Sequence, residues 1–264
     1  DIGLFEATKV YFTSWFLWRD LGSFALPYFP GGKLCMALLA LNMFTGGFIR
    51  MRITKRNVGV VVVHIGIAFM LIAGLVKLQW SEEGKIGLME GETSSYFDSF
   101  QLWEVAIWDM DQPFTGNELV IPDVHLSDLT GDKKRTFSHP DLPFELELSG
   151  FVKNCSVQPK GPNWQAAGPV VEGWGFYQQD PMVDAERNVG GLHANVLANG
   201  RVQPGLLWGR QFAPWTVEAG GKRWAIDMRN ERYPMPFSIQ LDDFIKDDHP
   251  GMSMARAFKS HVTK

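Results

Sequence analysis

Cysteine is scarce in this chain: of 264 residues only Cys35 and Cys155 carry a thiol, and they lie far apart. No C-x-x-C occurs, which excludes a zinc ribbon, a thioredoxin-type site and covalent attachment of a c-type haem by this chain itself. Missing too are a Ser/His/Asp order, a phosphate-binding glycine loop and an H-E-x-x-H, so the common signatures of hydrolases, nucleotide-binding proteins and zinc proteases do not apply. There is no basic surplus, with 25 Lys/Arg against 29 Asp/Glu for a net charge of −4. That balance argues against nucleic acid as a partner. The first residues also lack the basic start, apolar run and small-residue cleavage site of a signal peptide.

What is present is a chain that is 45% apolar and 20% charged. It is long enough for a real core and is neither disordered, collagen-like nor a disulfide scaffold. Charge is placed unevenly. Residues 1–79 carry 8 Lys/Arg and 3 Asp/Glu, whereas residues 80–264 carry 17 and 26. A basic, apolar front and an acidic, polar rear are two different materials.

The front reads as membrane-embedded. From Asn57 through Val76 run 20 residues without a formal charge. As a helix at ~1.5 Å per residue, they cover the ~30 Å of a bilayer's hydrocarbon. Between Lys33 and Arg50 lie 16 more; with both cations snorkelling outward, this run is expected to span as well. A buried soluble hairpin is the alternative, disfavoured by two long uncharged runs joined by a short basic loop. That loop, residues 50–56, holds Arg50, Arg52, Lys55 and Arg56, and the positive-inside rule places it in the cytoplasm. Three regions are therefore expected. Residues 1–33 form an extracytoplasmic aromatic segment, residues 34–79 a two-helix membrane hairpin, and residues 80–264 an extracytoplasmic β domain. This topology also expects an upstream membrane helix to deliver the first segment. That segment clusters Tyr11, Phe12, Trp15, Phe16 and Trp18, rings suited to a membrane–water interface. A loop with two prolines, residues 26–32, leads toward the first span.

From about residue 85 the hydrophobic period becomes two. Ile86, Leu88 and Glu90, then Trp103, Val105 and Ile107, read as strands. Turn residues recur every 8 to 15 positions, as at Thr115-Gly-Asn117, Asn199-Gly200 and Ala219-Gly-Gly221. The expected fold class is membrane α plus all-β: two transmembrane helices followed by a large β-sandwich-like domain. One self-similarity stands out. LPFELELSGFVK at 142–153 parallels MPFSIQLDDFIK at 235–246, and each follows a Gly and Lys/Arg turn. Two related modules that pack together are expected, the alternative being two strands sharing a proline start by chance.

His64 carries the chemical reading. An ionisable side chain within a span is costly and marks a functional site by default. At helical spacing Gly59, Gly66 and Ala73 form a small-residue stripe that lets another helix approach. His64 points away from it, on an apolar face with Val60, Ile67, Ala68 and Leu71 that suits a planar macrocycle. Neutral imidazole is a common axial ligand of haem iron. The plainer reading is a hydrogen bond to a neighbouring helix. Neither span holds a second histidine, so the opposite ligand is expected outside this chain, Met43 being an unsupported candidate. His125, His139, His193, His249 and His261 show no metal spacing. Residues 246–251 read as an acidic turn, and Asp109-Met-Asp111 as an incomplete calcium loop. Cys35 reads as packing and Cys155 as a free thiol in a strand.

Taken in order, several stretches resemble the ResB (CcsB-type) family of System II cytochrome c biogenesis. They are Tyr11-Phe-Thr-Ser-Trp-Phe16, Phe29-Pro-Gly-Gly32, Leu41-Asn42, Val63-His-Ile-Gly66, Leu88-Met-Glu-Gly-Glu92, residues 235–244, Pro250-Gly251 and Phe258-Lys-Ser260. The resemblance implies a subunit of a cytochrome c haem lyase in the bacterial inner (cytoplasmic) membrane, with its large domain periplasmic. Haem b is then the transported substrate. The implied partners are a CcsA-type membrane protein, fused or separate, and apocytochrome c. The family's membrane histidine matches His64, an axial ligand of the haem iron, while the tryptophan-rich haem-handling motif belongs to the CcsA-type half. The rival reading is a non-catalytic membrane anchor whose β domain scaffolds a respiratory or surface complex. A b-type electron-transfer anchor is disfavoured, since such sites pair two histidines.

Overall fold

The structure, a computed structural model, describes residues 7–22, 24–50, 54–112, 118–161 and 168–264. Arg52 of the basic loop and the turn Thr115-Gly-Asn117 lie outside the described residues. The chain forms two compact units, residues 1–82 with 183–185, and residues 83–182 with 186–264.

The first unit begins with a π-helical turn, Thr8–Phe12. Strands β1 (Phe16–Asp20) and β2 (Ala25–Pro30) follow as an antiparallel two-stranded ribbon. The proline-containing stretch expected as a loop is thus mostly a strand. Pro27 and Pro30 are tolerated there because a ribbon has outer edges that need no N–H donor. Helix α1 spans Gly32–Met43 and continues as a π-helical turn, Phe44–Ile49. Helix α2 spans Val58–Trp80, preceded by a 3-10 turn at Lys55–Asn57.

The expected class with two transmembrane helices is corrected here. Among the described residues one helical stretch, Lys55–Lys77, is long and apolar enough to cross a membrane. The other charge-free run breaks its α-helical register after Met43. Thr45 turns its hydroxyl back onto Leu41 O and Asn42 O at 2.9 and 3.1 Å. Arg50 N–H then reaches Thr45 O, five residues back, at 3.1 Å. Gly46 and Gly47 add low helix propensity at that point. The 12 regular residues of α1 rise ~18 Å, short of the ~30 Å needed. Among the described residues strand exceeds helix, 47% to 22%, so the described fold is predominantly β.

The second unit holds the remaining strands. They are β3 (Gly84–Lys85), β4 (Thr93–Asp109), β5 (Leu119–Ile121), β6 (Lys134–Phe137), β7 (Glu145–Val152) and β8 (Cys155–Pro159). Then come β9 (Trp174–Gln178), β10 (Gly191–Ala198), β11 (Arg201–Trp208), β12 (Trp215–Ala219), β13 (Lys222–Asp248) and β14 (Ala255–Thr263). One sheet has the order β11-β10-β7-β6. A larger one has β12-β13-β4-β3, with β14 added to β13 and β5 to β4, and β8-β9 form a separate ribbon. In β4 Trp103, Val105 and Ile107 are buried, and so are Glu104 and Ala106 between them, so this stretch is covered on both faces. Trp103, Val105 and Ile107 join Leu146, Leu148, Leu192, Val196, Leu207, Val217, Ile226 and Met228 in one core drawn from both larger sheets. Asn199-Gly200 is the two-residue turn joining β10 to β11, with φ of +51° and +72°. Both values suit a type I′ turn, which Asn and Gly adopt readily.

Two strand expectations fail. Ile86, Leu88 and Glu90 are not in a strand, because β3 ends at Lys85. A local turn takes over, in which Glu92 N–H donates to Met89 O and the Glu92 carboxylate accepts from Met89 N–H at 2.8 Å. The two similar segments do not pack as paired modules either. The first is mostly β7, paired with β6 and β10, while the second lies within β13, paired with β4 and β14. Phe144, Leu146 and Leu148 are buried, whereas Phe237 and Phe244 of the second segment are exposed. Pro234 and Pro236 stand at a break in the β13–β4 ladder. They lack N–H groups, and the register slips between Pro234 and Ile239.

Candidate functional site

His64 sits in the second turn of α2, half-buried. Its Nδ1 lies 2.8 Å from Val60 O, one helical turn back. A carbonyl oxygen only accepts, so Nδ1 carries the proton and donates it. In the neutral ring this leaves Nε2 with its lone pair free, the form in which imidazole binds a metal. The hydrogen bond also holds the ring against rotation.

The wall beside this ring is backbone. A Cβ placed on Gly47, in the π-helical turn after α1, would lie 2.2 Å from His64 Cδ2 and 3.0 Å from Nε2. The buried Gly47 backbone therefore packs closely against the Cδ2–Nε2 edge of the ring, where a side chain could enter only by displacing the imidazole. Along the same face of α2, Val60 and Ile67 are exposed, while Ala68 and Leu71 are half-buried. Met43, at the end of α1, is half-buried as well. Sequence reasoning found His64 but missed Gly47. Its only signal was the Gly46-Gly47 pair inside an apolar run.

In the second unit the other candidates are occupied. Lys222 Nζ lies 2.7 Å from Asp109 Oδ2 and Arg223 3.2 Å from Asp111. The bond from Lys222, then that from Asp111 N–H, hold the Asp109 carboxyl below its ordinary range. These two aspartates are thus paired with cations rather than arranged for calcium. Within residues 246–251, Lys246 bonds Asp248 at 2.9 Å, and Lys259 bonds the neighbouring Asp247 at 2.7 Å. His139 Nδ1 accepts from Asp141 N–H at 3.3 Å at the surface. His193 is buried in β10 against Phe176, and its Nε2–H donates to Pro169 O at 3.1 Å. Burial lowers its pKa despite that bond and another to Gly150 backbone. Cys155 is buried and its thiol is pushed up to about 12, which makes it inert. Cys35 is exposed on α1. Among the described residues no group of three His, Cys, Asp or Glu could hold a metal ion.

A polar cluster that sequence reasoning missed ties β4 to β13. Glu104, 2% exposed, accepts from Arg229 Nε at 2.7 Å and from Arg232 N–H at 3.1 Å. Arg229 also bonds Glu118. Burial works against the Arg229 charge, but its bonds to Glu118 and Glu104 outweigh that and raise its pKa. Glu118 is lowered chiefly by the bond from Arg229. Each partner is satisfied within the fold, so the cluster is structural. A scan against known protein families finds no match to this chain, and a search of curated proteins finds none either.

Proposed function

We propose that this chain handles haem at a membrane, as the ResB-like subunit of a cytochrome c haem lyase. Haem b is the transported substrate, a CcsA-type membrane protein and apocytochrome c are the partners, and His64 supplies one axial ligand. The observation that carries the reading is the His64 ring, with Nδ1–H held by Val60 O and Nε2 left as the ligating nitrogen. One feature fits a planar iron macrocycle beside it. The exposed Val60 and Ile67 on the same face of α2 offer it an apolar surface. The resemblance in motif order supports the same assignment.

The membrane placement proposed here rests on α2. Lys55 and Arg56 precede it, so by the positive-inside rule that end is cytoplasmic. The β unit that follows is then on the extracytoplasmic side of a bacterial inner membrane. Haem iron takes two axial ligands, and the described residues bring no second histidine to His64. The partner subunit therefore supplies the opposite ligand. The chain's own share of the work is to hold and orient the haem, so that apocytochrome thiols meet it at high effective concentration.

His64→Ala in the complex with its partner should lower the haem that co-purifies in detergent and alter its absorption spectrum. Haem content and spectrum equal to the unmodified complex would remove His64 as a ligand. A complex with no haem in either form would favour the anchor reading instead.

A further inference from the structure

The hairpin between β13 and β14 gathers three side chains that none of the preceding chemistry uses: His249, Met252 and Met254. Its corner is Pro250-Gly251. Gly251 has φ +77°, and Met252 N–H donates to His249 O at 3.1 Å. Proline followed by a glycine of positive φ is a type II turn. His249 N–H in turn donates to Met254 O at 3.0 Å and closes the base of the loop. His249 and Met254 therefore sit opposite each other, the residues next outward from the Asp248–Ala255 pair. Such cross-strand neighbours have Cβ atoms about 4.5–5.5 Å apart. The backbone thus confines one imidazole and two thioethers to a single six-residue loop.

Nothing in the fold uses these groups. Among the described residues the His249 ring has no hydrogen bond or ion pair. Met252 and Met254 are 58% and 61% exposed. The carboxylates beside them are committed to lysines, Asp247 to Lys259 and Asp248 to Lys246. The loop therefore offers soft sulfur and imidazole nitrogen, while the hard oxygen donors are already neutralised. That donor set disfavours calcium and magnesium and selects Cu(I), for which thioether sulfur is a preferred ligand.

We propose that His249, Met252 and Met254 form a three-ligand site for a soft monovalent cation, Cu(I). The site is independent of the haem reading, since it uses none of the same residues.

The test uses the full chain in detergent with Cys35→Ser, so that the exposed thiol does not compete. Cu(I) is titrated without oxygen against a chromogenic Cu(I) chelator, and Ag(I) is followed by NMR of labelled methionine methyls. One Cu(I) per chain is expected, together with Ag(I)-induced shifts at Met252 and Met254. Second-shell changes at metal sites already cost about 10–100-fold, so loss of a ligand in Met252→Leu, Met254→Leu or His249→Ala should weaken binding by at least about tenfold. Leucine keeps the size of methionine, and a thermal melt verifies that these variants fold. Equal Cu(I) affinity in Met252→Leu/Met254→Leu would overturn the proposal. So would an absence of methyl shifts at these two residues.

Discussion

Arg229→Met would leave a carboxylate stranded in the β core. Glu104 and Arg229 are directly paired positions on β4 and β13. Their side chains are 2% and 15% exposed, so water cannot replace the lost partner. Of the bonds now reaching Glu104, only the Arg232 N–H would remain. Breaking a buried ion pair by deleting one side costs about 3–5 kcal/mol, mainly because the other charge stays buried and uncompensated. For a unit of this size each kcal/mol is about 2–4 °C, so the melting temperature should fall by about 6–20 °C. The full chain in detergent, melted with tryptophan fluorescence as the probe, reads this directly because Trp103 and Trp224 lie in the same core. Adding Glu104→Gln removes the stranded charge while keeping an oxygen for Arg232 N–H, and should restore most of the loss. A single variant within about 0.5 kcal/mol of the parent, the range of ordinary surface changes, would refute the reasoning. A double variant as unstable as the sum of its singles would refute it equally.

Two further outcomes concern the imidazoles of His64 and His193. Gly47→Ala brings a Cβ to 2.2 Å from His64 Cδ2, which forces the ring away from Val60 O. Overpacking of this kind costs about 1–3 kcal/mol. Haem per chain, measured by absorbance, should drop toward the His64→Ala level, and unchanged haem would show that this wall does not set the ring. The pKa of His193 is lowered by burial, so its contribution to stability is complete above the ordinary imidazole value of about 6.5. It is lost as pH falls through the lower folded value, because the unfolded chain takes up the proton first. Melts at pH 7.5 and 5 should therefore show a smaller acid-induced drop in His193→Gln than in the parent, and equal drops would contradict the assignment.

Much was readable along the chain because it depends on near neighbours. An uncharged run of valine, isoleucine and leucine with no interruption becomes α2, and its imidazole is conspicuous because polar groups are rare in such a run. Alternation in Trp103, Val105 and Ile107 marks a strand, though not that its other face is buried as well, and Asn199-Gly200 specifies its own turn through local backbone preference. The same short-range logic misjudged the run before Arg50. Apolar count alone cannot report that Thr45 bonds back to Leu41 and Asn42 and breaks the α register.

What the amino-acid order determined by itself was periodicity, turn chemistry and the presence of one histidine in an apolar helix. Tertiary structure decided the rest. It set Gly47 against the ring of His64 and matched Glu104 to Arg229 across 125 positions. It also sent two similar segments to different sheets. Those outcomes depend on which backbones approach in space, and no window of neighbouring residues encodes the identity of a distant partner.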